Sequence, residues 1–195
     1  MGNSVSRFII ILYGLASLVL FLYSYTQVDL SLTLSRASLF QTVERGFQHI
    51  GYYQRPLSTA LYIGILVSLF ILYGVVLVLA KKQKITSRNI WKIVIILTGI
   101  LVLSYPAFSY DLFNYMFTAK TVLVYHKNPY EIIPLQFAGV DPWLSFMRWT
   151  HLPSAYTPLW IGLTLPAYLL GFNYFLLILW NMKILVAAFY ILCAW

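Results

Sequence analysis

From Leu57 to Ala80 the chain carries no charged residue. That run leaves few folds open. The hydrocarbon core of a bilayer is about 30 Å thick, and a helix needs roughly 20 mostly apolar residues to cross it. Inside that layer every backbone polar group must bond within the protein, so a continuous run of this kind is a helix. A transmembrane barrel would show short alternating segments instead. Similar runs occupy about 8–25, 90–108, 159–170 and 174–195, which gives five expected spans in one membrane domain over 1–195. Composition agrees. The chain is 61% hydrophobic and 9% charged, where a soluble domain is about a quarter charged. The expected class is all-α and polytopic.

The net charge of +8 does not point to nucleic acid. Lys81, Lys82, Lys84, Arg88 and Lys92 fall between two apolar runs, and the other basic residues are scattered. That clustering is the positive-inside signature of a cytoplasmic loop, here 81–89. It makes the N-terminus cytoplasmic and turns loops 26–56 and 109–158 outward. Those loops also carry Tyr52, Tyr53, Tyr110, Trp143 and Trp149, as expected where amphipathic rings sit at headgroup level. Arg7 before the first run, and no small-residue cleavage pattern after it, read as an uncleaved anchor. Met1-Gly2-Asn3-Ser4-Val5-Ser6 fits a short acylation pattern that chance often matches. The chain stops at Trp195 within an apolar run, as an N-terminal portion of a longer protein would.

All five acidic residues and all three histidines lie in the two outer loops. The second loop opens on Ser109-Tyr110-Asp111. From Asp111 to His126, helical spacing puts Asp111, Asn114, Thr118, Thr121 and Tyr125 on one face and Leu112, Met116, Ala119 and Leu123 on another. This pattern predicts an amphipathic helix along the interface. Asp111 at its start serves as a helix cap, as a general base, or as both. His126-Lys127-Asn128-Pro129-Tyr130 then marks a turn. Arg148, with two parallel donors, suits a phosphate, and the nearby aromatic rings suit sugar C–H faces. Asp111, Glu131, Asp141, His126 and His151 show no metal-ligand spacing, so no metal and no cofactor are expected. Lys183, inside the last run, is either a functional group or a side chain reaching for the surface.

In order and spacing, Ser109-Tyr110-Asp111, the aromatic-rich helix, Asn128-Pro129-Tyr130 and Ser154-Ala155-Tyr156-Thr157-Pro158-Leu159-Trp160 resemble the GT-C glycosyltransferases. The segment is most similar to the polyprenol-phosphate-mannose-dependent mannosyltransferases of bacterial cell envelopes. Their Asp follows the first span and here it follows the third, as an added N-terminal hairpin would produce. The resemblance covers 109–160. It implies a mannosyltransferase of a bacterial or archaeal plasma membrane. Such an enzyme moves a sugar from a polyprenyl-phosphate donor to a hydroxyl of a glycan or glycolipid acceptor at the extracytoplasmic face, with inversion. The lipid-linked donor is a substrate, and membrane lipids surround the site. In that frame Asp111 is the catalytic base. Asn114 and Tyr115 orient sugar or base; Arg148, His151 and Lys120 face the lipid phosphate; Tyr156 completes the substrate-binding set. Two other readings remain: a transporter or channel subunit, for which only Lys183 and Pro166 speak, and a truncated non-catalytic membrane protein.

Overall fold

The computed structural model describes residues 2–195, so Met1 of the acylation pattern lies outside it. The described chain is all-helical, 71% helix with no strands. Seven α-helices are found among the described residues: α1 (Gly2–Ser24), α2 (Ser38–Gln48), α3 (Arg55–Lys81), α4 (Ser87–Val102), α5 (Asp111–Leu123), α6 (Pro158–Leu169) and α7 (Phe175–Ala194). Three stretches are long and apolar enough to cross a membrane: Ser4–Gln27, Arg55–Lys81 and Phe175–Ala194. The other two expected spans are shorter. At about 1.5 Å per residue, the 16 residues of α4 reach about 24 Å and the 12 of α6 about 18 Å. Turns at Leu103 and Ser104, ahead of Pro106, stop α4. Gly171-Phe172-Asn173 stops α6, with Phe172 and Asn173 at φ 48° and 62°.

Two compact units are present. The first runs to Val28 and then covers Ala37–Ala107. In it α1 packs on α3 and α4. Ile9, Tyr13, Ile85 and Ile93 form the buried centre, with Leu69, Leu72, Val76 and Leu97 around them. Much of the outer surface of α3 is apolar and exposed, including Leu61, Val67, Phe70 and Ile71. Such a surface is stable against lipid chains and not against water. Polar side chains tie the helix ends together. The Ser24 hydroxyl accepts from the Tyr105 N–H at 2.9 Å, and the Tyr25 hydroxyl donates to the Leu103 carbonyl at 2.9 Å. Tyr23 and Ser58 share a hydrogen bond of 3.0 Å between α1 and α3. A π-turn, His49–Tyr53, leads from α2 towards α3. It passes so close to the Thr26 carbonyl that a Cβ on Gly51 would stand 1.8 Å from that oxygen. Only glycine fits there.

The second unit comprises Asp29–Arg36 and Phe108–Trp195. Its centre is α5, which packs on α6 and α7. The helix predicted from the sequence forms, but it ends at Leu123 and is not a surface helix. Phe113, Asn114, Met116, Phe117, Thr118, Ala119, Lys120 and Thr121 are all buried. The long segment after α5 folds back and covers it. Tyr125 stacks on Phe137 with ring centroids 4.1 Å apart, and Phe137 meets Phe117 edge-on at 5.8 Å. Phe113, Phe146 and Phe175 close a second aromatic cluster, with Phe146 5.2 Å from each of the other two. Of the polar face expected along the interface, Asn114, Thr118 and Thr121 are therefore interior, and Asp111 and Tyr125 are half-buried. Between α6 and α7, Asn181 donates to the Ala167 carbonyl at 3.1 Å, next to Pro166. A Cβ on Gly171 would meet the Ile178 backbone nitrogen at 2.8 Å, so this turn also requires glycine.

Candidate functional site

The first turn of α5 forms one wall of a cavity of about 250 Å³ in the second unit. Asp111, Asn114 and Thr118 line it, one helical turn apart along a single face. Opposite them stand Pro134, Met147 and Trp149, with Leu152 to Tyr156 completing the lining. This volume lies just under the roughly 300–1,000 Å³ of small-molecule sites. The closing segment is held by local bonds. The Ser154 N–H donates to the Pro129 carbonyl at 2.8 Å, and the Tyr130 hydroxyl donates to the Tyr156 carbonyl at 2.7 Å. The turn at Asn128-Pro129 thus secures the backbone that carries Tyr156. Asn128 fixes that turn through the Tyr130 N–H, at 3.1 Å. Thr157 then caps α6 by accepting from the Trp160 N–H at 3.4 Å.

Asp111 is the carboxylate of this cavity. The cap residue of α5 is Tyr110, which caps with no side-chain bond. Asp111 stands in the first turn, where its charge complements the helix dipole. Its oxygens take hydroxyl donors: Ser109 Oγ to Oδ2 at 2.9 Å and Tyr156 Oη to Oδ1 at 3.2 Å. The Asp111 N–H in turn donates to Ser109 Oγ at 3.1 Å. A carboxylate has about four lone-pair sites, so these bonds leave room for a further donor. The Tyr156 phenol is pushed well above the ordinary tyrosine value, chiefly by burial, with the Asn114 hydrogen bond pulling it back and the Asp111 charge adding to the rise. It stays protonated at neutral pH and holds one carboxylate oxygen in place. Asn114, which is buried, hydrogen-bonds the same phenol. Tyr115 does not line the cavity. It packs edge-on behind Tyr156 at 4.6 Å and against Trp160 at 5.2 Å, and burial raises its phenol too.

The three cationic candidates lie elsewhere. Lys120 is not available to a phosphate. It is buried, its ammonium stands 2.6 Å from Asp141 Oδ2, and it sits 4.0 Å over the Trp143 ring. The Tyr125 hydroxyl and the Trp143 N–H complete the shell of Asp141, at 2.7 and 3.0 Å. Sequence spacing gave no hint of this pair, because its partners lie on α5 and on the distant turn before Pro142. Arg148 borders Trp149 in the chain, and its side chain is 60% exposed. It pairs with Asp29 at 3.6 Å and lies over the Tyr110 ring at 4.9 Å. Tyr110 donates to the same Asp29 carboxylate at 3.4 Å. Asp29 was not among the expected site residues. Only its acidic character in an outer loop could have marked it. His151 is exposed, 6.4 Å from Trp149 by ring centroids, and outside the lining. Ser109, Thr118 and Trp149 join the site through the fold. Among the described residues no group of three or more His, Cys, Asp or Glu side chains could hold a metal ion.

Comparison with family models, with curated proteins and with solved structures finds no match. The reading of the site therefore stands on its own residues.

Proposed function

We propose that the protein is a membrane glycosyltransferase of the GT-C kind, a mannosyltransferase by its resemblance. It takes a sugar from a polyprenyl-phosphate donor to an acceptor hydroxyl at the extracytoplasmic face. One observation carries the reading: a carboxylate with hydroxyl partners in a small aromatic-lined cavity, on a chain with membrane-spanning helices. In the reaction the acceptor oxygen attacks C1 of the sugar. Asp111 takes the proton of that hydroxyl as the new C1–O bond forms. The bond from C1 to the phosphate oxygen breaks on the opposite side, which inverts the anomeric centre. The lipid phosphate leaves as an anion and needs a cation rather than an acid. Arg148 does not line the cavity but is the exposed chain neighbour of its residue Trp149, and it takes that role by exchanging Asp29 for the phosphate. Tyr156 and Ser109 orient the carboxylate. Trp149 offers a face to the sugar. In this reading α4 and α6 complete a five-span arrangement, with the N-terminus and the 81–89 loop cytoplasmic, in a bacterial or archaeal plasma membrane.

The test is sugar transfer by the full-length protein in membranes. Labelled mannosyl phosphate on a polyprenol is offered alongside a labelled nucleotide sugar. Transfer from the lipid donor alone is expected. Transfer from the nucleotide sugar alone, or from neither donor, contradicts the proposal.

A further inference from the structure

One helix has its polarity inverted: α2, in the loop where sequence patterning had marked none. Its polar side is turned inward. Glu44 is 6% and Gln48 9% exposed, and Gln41 is half-buried beside them. Its apolar side is turned outward: Leu39 is 78%, Val43 51% and Phe40 38% exposed. A helix facing only water and protein would do the reverse. The third sector carries Ser38, Thr42 and Arg45, all exposed and hydrophilic. So α2 has one side for protein, one for an apolar medium and one for water.

Its position within the first unit names that medium. α2 packs on the turn Tyr25–Gln27, which ends the span Ser4–Gln27. Gln48 Nε2 donates to the Val28 carbonyl at 3.3 Å. The π-turn after α2 touches Thr26 through Gly51 and leads into α3 at Arg55, where the next span begins. The helix is therefore fixed at the level where two spans leave the hydrocarbon layer. Tyr53, 70% exposed, and Arg55 stand at the same level. Aromatic and basic side chains are favoured there.

We propose that α2 lies in the plane of the lipid–water interface, with Leu39, Phe40 and Val43 among the acyl chains and Arg45 at the lipid phosphates. Such a helix buries its apolar side about 5–10 Å into the boundary between headgroups and chains. It holds the α1–α3 hairpin at fixed depth and needs no protein partner on that face.

Spin-label depth measurements test this in the full-length protein. Cys193→Ala removes the thiol of residues 1–195, and any cysteine outside them is replaced likewise. Val43→Cys, Leu39→Cys and Thr42→Cys then carry a nitroxide one at a time, in vesicles of phosphatidylcholine with phosphatidylglycerol. Molecular oxygen reports lipid exposure and a water-soluble nickel chelate reports water exposure. The expected oxygen-to-nickel ratio is several-fold higher at Val43 and Leu39 than at Thr42. Equal ratios at all three positions would overturn the proposal. Shielding of Val43 and Leu39 from both reagents would overturn it too, in favour of a protein covering that face. All three positions are exposed, so each label reports without disturbing packing.

Discussion

Asp111 and Asp141 both belong to the segment that follows α4, and their surroundings are opposite. The Asp141 side chain is wholly buried, and its neighbours include an ammonium, a phenol and a backbone N–H. Its charge is balanced where it sits. Asp111 lines a cavity, and its side-chain hydrogen bonds come from two hydroxyls. The contrast separates holding from reacting. A carboxylate locked to a cation cannot take up a proton without leaving that cation uncompensated. A carboxylate oriented by neutral hydroxyls can accept one and keep its place.

The contrast breaks first if Asp141 proves dispensable. Asp141→Ala leaves the Lys120 ammonium buried without its counter-ion, which costs about 3–5 kcal/mol. Thermal unfolding in detergent should show a large drop in midpoint, and the double variant Lys120→Met with Asp141→Ala should recover most of it. A single variant as stable as the parent would mean that the pair holds nothing together. A smaller effect is expected at Tyr156→Phe, which removes one donor to Asp111. Losing a hydrogen bond to a charged group lowers stability by about 1.5–3 kcal/mol at most, a modest fall in midpoint, while a carboxylate no longer held in place should lose transfer roughly ten- to a hundredfold. If the midpoint falls and transfer does not, Tyr156 is a packing residue.

The smallest expected effect concerns pH. The Tyr125 phenol is pushed up to about 12, by burial first and then by its bond to the Asp141 carboxylate. The unfolded chain loses that proton near the ordinary value of 10.0. Below that pH both states hold the proton and the contribution is fully present. As pH rises towards about 12 the unfolded state binds fewer protons, so stability falls. Tyr125→Phe should flatten this alkaline loss and remove one late phenolate from the ultraviolet titration. Loss of a phenolate near the ordinary value of 10.0 instead would place the Tyr125 hydroxyl in water.

Much of this was legible from local pattern. Long apolar runs gave the three long helices, because a bilayer filters sequence by length and polarity. The turn at Asn128-Pro129 announced itself by residue type. The shared face of Asp111, Asn114 and Thr118 followed from helical spacing. What escaped was long-range. The stripe on α5 has the period of a surface helix, and only the segment folding back from Tyr125 to Thr157 makes it interior. Lys120 looked like a phosphate ligand until the fold brought Asp141 to it. The pattern Leu39, Phe40, Val43, Phe47 in α2 was short and lay in a polar loop. Its inversion is visible only where the ends of two spans bury Glu44 and Gln48. Asp29 joins Arg148 and Tyr110 from far away in sequence, with no motif to show it.

The most direct measurement is the transfer rate of Asp111→Asn in the full-length protein, taken with its unfolding midpoint. The amide keeps the shape and hydrogen-bonding reach of the carboxylate but cannot take the acceptor's proton. Transfer is expected to fall by about 10²-fold or more while the midpoint stays with the parent. Near-normal turnover by a folded Asp111→Asn protein would contradict the central claim and remove this carboxylate from the chemistry.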